Sequence, residues 1–152
     1  MTQLLSSRAG TIRLGIRGLV AMAIVLGTAG GVVGTSFLAV VFGATHVLST
    51  GLQPRPMNAA LRWLFSAEVS EPATTALLWL LGAATLLLAA LVATAAPRQR
   101  VRRAYAAWAI IGGVLTTYAL AANWQLAREV GLIALIVGGV WSAAVWAMVR
   151  RV

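Results

Sequence analysis

Apolar and small residues run without a charged side chain over 18–54, 72–97, 104–127 and 130–149, and arginines or glutamates close each run. A helix rises about 1.5 Å per residue, so about 20 residues cross the roughly 30 Å of bilayer hydrocarbon. The pattern predicts an all-α integral membrane protein, a bundle of four transmembrane helices over approximately 18–43, 72–96, 104–123 and 130–149. Residues 1–152 then form one membrane domain, with an outer loop at 44–71 and an inner basic loop at 97–103. The first run is too long for the apolar core of a cleaved signal peptide, about 7 to 15 residues, and is expected to be a retained span.

The long first connection has a pattern of its own. Beyond the turn residues Gly51, Pro54 and Pro56, the stretch 57–65 places Met57, Leu61, Leu64 and Phe65 at helical spacing, with Asn58 and Arg62 elsewhere. This predicts a short amphipathic helix on the outer membrane surface or folded over the bundle mouth. Ser70, Glu71 and Pro72 combine a capping hydroxyl, an acid at the positive end of the helix dipole and a first-turn proline, and predict the start of span two. Pro97 is expected to end it. Trp63, Trp79 and Trp124 are expected toward the outer interface and Tyr105, Trp108 and Trp146 toward the inner one, with Trp141 deeper as a packing residue.

Charge then orients the spans. Nine arginines (Arg8, Arg13, Arg17, Arg98, Arg100, Arg102, Arg103, Arg150, Arg151) fall on one side of the predicted membrane and three (Arg55, Arg62, Arg128) on the other. The positive-inside rule places both termini in the cytoplasm, and the lack of lysine beside abundant Ala, Leu, Gly and Val points to a bacterial inner membrane. The net charge of +9 needs no nucleic acid, because arginines at membrane edges meet anionic lipid headgroups. Arg98, Arg100, Arg102 and Arg103 are the densest such cluster and the candidate anionic-lipid contact.

Composition agrees with membrane residence: 61% of residues are hydrophobic, against about 45 to 50% in soluble domains. The absence of cysteine excludes disulfides, thiol catalysis, Cys-ligated zinc and iron–sulfur clusters. None of the four predicted spans holds Asp, Glu, Lys, Arg or His, the residues that ion-coupled pumps carry at membrane depth.

Three features could carry function. Gly27, Gly30, Gly31 and Gly34 follow i, i+3, i+4 and i+7 on span one, two overlapping GxxxG pairs that predict close helix contact, within the chain or with a partner. Small residues also line the other spans: Gly82, Thr85, Ala89 and Ala93; Gly112, Gly113, Thr116 and Thr117; Gly131, Gly138, Gly139 and Ser142. His46, Glu68, Glu71 and Arg128 form a candidate outer-face polar cluster. His46 is read first as an interfacial histidine, with metal or haem ligation the alternative, and Glu68 and Glu71 first as charges at a helix N-terminus. No catalytic motif, metal site or cofactor is expected.

The expected role is therefore non-catalytic: an accessory, scaffold or regulatory subunit of a larger membrane complex. Its partners would be lipids and a membrane protein or further copies of itself, with no nucleic acid. One alternative is an oligomeric transporter or channel for a neutral or lipid-like substrate. Another is a small membrane enzyme or haem-binding subunit using His46, Glu68, Glu71, Tyr118 and Arg128.

Overall fold

The computed structural model describes the backbone of residues 2–50, 66–122 and 124–151, and side chains over 12–37, 41, 66, 68–121 and 131–151. Its elements are all helical: α1 (Thr2–Thr50), α2 (Ala67–Ala93), α3 (Arg98–Ala122) and α4 (Trp124–Arg151). Each contains a segment long and apolar enough to cross a membrane: Ile12–Phe37, Glu68–Ala93, Arg98–Ala121 and Gly131–Arg151. The predicted amphipathic helix at 57–65 lies outside the described residues.

The helices close into a ring, α1 packing on α2, α2 on α3, α3 on α4 and α4 back on α1. For α2 with α3 and α3 with α4 this contact follows from short connections, which leave consecutive helices antiparallel and adjacent. The connection from α2 to α3 is four residues. Ala95 adopts a left-handed φ of 56°. Its N–H donates to the Val92 carbonyl at 3.3 Å, and that of Ala96 to the Leu91 carbonyl at 2.9 Å. This is a Schellman ending, which satisfies carbonyls that the last helical turn leaves open. The Pro97 carbonyl then accepts from Arg100 and Val101 and opens α3.

Several predicted boundaries move. Arg98, Arg100, Arg102 and Arg103 are not a loop but the opening turns of α3. Residues 44–50 belong to α1 and 67–71 to α2. The expected third loop, 124–129, is the start of α4. The helix that carries the second span begins before Ser70, Glu71 and Pro72: α2 starts at Ala67, and Glu68 is the acid of its first turn. Pro72 is tolerated because the backbone bond it forfeits is to the Glu68 carbonyl, at a helix end where other partners remain accessible.

Burial is uneven along the bundle. Ile24, Leu88, Val92, Val101, Ala104, Trp108 and Val145 form most of a core toward the end that carries the arginines, and Leu81 and Leu115 extend it along α2 and α3. In the opposite half α1 and α4 are bare: from Ala29 to Phe37 every residue except Val32 is exposed, and from Leu132 to Val140 every residue except Ala134. Large apolar side chains such as Leu26, Phe37, Ile110 and Leu132 face outward. A water-soluble bundle would bury that stripe, whereas lipid solvates it.

Candidate functional site

Three polar bridges tie the helices together. The Thr85 hydroxyl on α2 donates to the Leu81 carbonyl at 2.7 Å and accepts the indole N–H of Trp108 on α3 at 3.0 Å. Both residues are buried, so each finds in the other the partner that lipid cannot supply. On the opposite seam Trp141 of α4 donates to the Thr28 hydroxyl of α1 at 3.4 Å, a longer and weaker bond. Between α3 and α4, Tyr105 donates to the Ser142 carbonyl at 3.1 Å and lies 2.9 Å from its Oγ.

The sequence pattern placed Thr85 and Ser142 on small-residue faces and read Trp141 as a packing residue, and all three make contacts between helices. It did not pair them. Trp108, expected in an interfacial belt, is in the core, and Trp79, expected near the outer interface, lies midway along α2 with 78% of its surface exposed. The reason is the earlier start of α2 at Ala67, which carries Trp79 more than three turns into the helix.

The glycine stripe of α1 divides. A Cβ on Gly27 would collide with the indole ring of Trp141, with Trp141 Cζ3 at 3.1 Å, so that glycine is what admits the ring. A Cβ on Gly30, Gly31 or Gly34 would meet nothing within 4 Å. On α3, Gly112 sits at ordinary contact distance from Leu81 Cδ1, 3.7 Å.

Between α1 and α2 runs an open groove of about 530 Å³ with Thr28, Ala29, Gly82 and Thr85 among its lining and Trp79 and Val33 beside them. Among the described residues no charged side chain lines it. The two floor hydroxyls are the ones already engaged by Trp141 and Trp108.

At the arginine end, Tyr105 stacks obliquely on Trp146, ring centroids 4.9 Å apart, and the Arg150 guanidinium lies 5.6 Å from the Trp146 centroid. Arg98, Arg100, Arg102 and Arg103 are exposed. At the other end Glu68 and Glu71 are exposed on the opening turns of α2. His46 is carried on α1 and Arg128 on the first turns of α4, rather than on loops, and both side chains lie outside the described residues. Among the described residues no three His, Cys, Asp or Glu side chains gather to hold a metal ion.

No protein-family model, curated protein or solved structure matches the chain.

Proposed function

We propose that this chain is a non-catalytic accessory subunit that packs against a larger membrane protein through the open halves of α1 and α4. The observation that carries the reading is the division of the α1 stripe: Gly27 is consumed by Trp141, while at Gly30 and Gly34, a GxxxG pair, a Cβ would meet nothing within 4 Å. Small residues permit the backbone approach by which helices associate where lipid removes any hydrophobic drive. A bacterial cytoplasmic membrane, with both termini cytoplasmic and the 57–65 helix on the outer surface, completes the reading. The nine-to-three arginine distribution supports that orientation.

Purification of tagged protein from its native membrane, followed by mass spectrometry, tests the reading. The wild-type chain should bring a larger membrane protein in stoichiometric amount, and Gly30→Leu/Gly34→Leu should lose it while keeping its helicity. Gly27→Leu is the contrasting variant, expected to unfold through its clash with Trp141. Retention of the partner by Gly30→Leu/Gly34→Leu would sink the interface. A lone homo-oligomer from wild type would instead favour transport of a neutral, lipid-like substrate, the reading that the uncharged α1–α2 groove supports.

A further inference from the structure

The arginine end of the bundle carries a charge that the chain's own side chains do not balance. Its only acidic side chains are Glu68, Glu71 and Glu129. The first two lie at the far end of α2 and the third at the far end of α4, about 30 Å or more away by helical rise. Among the described residues Arg98, Arg100, Arg102, Arg103 and Arg151 have no carboxylate partner. Four of these also occupy the first turns of α3, where the helix dipole is positive and no acidic residue is present. Like charge at that end is unfavourable, so an external anion is stabilised there by both the guanidiniums and the dipole.

Register concentrates this charge on one seam. Arg98, Arg102 and Tyr105 follow i, i+4 and i+7 and share a face of α3, the face whose Tyr105 meets Ser142 and Trp146 of α4. Arg150, one turn beyond Trp146, leans over the indole from the other side of the seam. Arg100 and Arg103 fall on the opposite side of α3. Arg98 and Arg102 thus share the α3 face of the half-buried Tyr105, and Arg150 lies against the half-buried Trp146 across the seam.

We propose that the α3–α4 seam binds the phosphodiester headgroup of an anionic phospholipid, held by Arg98, Arg102 and Arg150 above Tyr105 and Trp146. Guanidinium forks match phosphate oxygens, and the amphipathic rings sit at headgroup level. A zwitterionic headgroup would bring its own cation among the arginines. Anionic lipid is therefore favoured over phosphatidylcholine, and the seam, not the whole arginine ring, sets the preference.

The test is native mass spectrometry of the detergent-solubilised full chain incubated with equimolar phosphatidylglycerol and phosphatidylcholine. Wild type should retain phosphatidylglycerol preferentially, and Arg98→Gln/Arg102→Gln should cut that preference roughly thirtyfold, as loss of two lipid-facing charges implies. Arg100→Gln/Arg103→Gln removes the same charge from the other face and should leave the preference within about twofold. Arg150→Gln, which leaves α3 intact, should repeat part of the loss and guards against misfolding of the double variant. Equal losses in the two double variants, no preference in wild type, or displacement of the lipid by millimolar inorganic phosphate would each overturn the proposal.

Discussion

Single residues act in this bundle by pairing with one specific group on another helix. Thr85 is the strongest case, since its hydroxyl is acceptor for a buried indole N–H and donor to its own helix. Thr85→Val should leave the Trp108 N–H buried without a partner and destabilise the protein by about 1–2 kcal/mol. Thr28→Val, which loses only the 3.4 Å bond from Trp141, should cost no more than about half a kcal/mol. Thermal unfolding of both variants in one detergent checks the order, and a Thr28→Val that is the more damaging would reject it. Hydroxyls inside apolar runs are visible in the sequence, and so is the need to satisfy them. Which tryptophan meets which threonine is not, because that depends on the rotation of each helix about its axis.

At the scale of elements, the α2–α3 hairpin shows why boundaries moved. A glycine after a helix announces its end, because only glycine enters the left-handed region without a Cβ penalty. Here Ala95 takes that conformation at φ 56°, so the stop is silent in the sequence and Pro97 was the only visible marker. Ala95→Gly should relieve the strain and raise stability by about 0.5 kcal/mol, the conformational gain being partly offset by the freer unfolded chain. An unchanged or lower unfolding midpoint would argue against strain at this residue. The same hairpin converts an expected basic loop into helix, which gives the four arginines a fixed register and separates Arg98 and Arg102 from Arg100 and Arg103.

For the whole molecule, orientation is the property most open to direct measurement, because a chain without cysteine allows single-cysteine labelling with no background. In intact cells Asn58→Cys should react with a membrane-impermeant maleimide, and Gln99→Cys only after lysis; the reverse pattern would invert the topology. Four helices long and apolar enough to cross a membrane were legible in the sequence, because bilayer thickness and the cost of burying charge act on the chain residue by residue. Tertiary structure alone decided that the core gathers at the arginine end, that Gly27 serves Trp141 while Gly30, Gly31 and Gly34 stay open, and that Tyr105, Trp146 and Arg150 meet at one seam. The physical reason is that apolar side chains cost nothing to leave in lipid. Hydropathy therefore determines which segments enter the membrane, whereas shape and hydrogen-bond complementarity choose which faces touch.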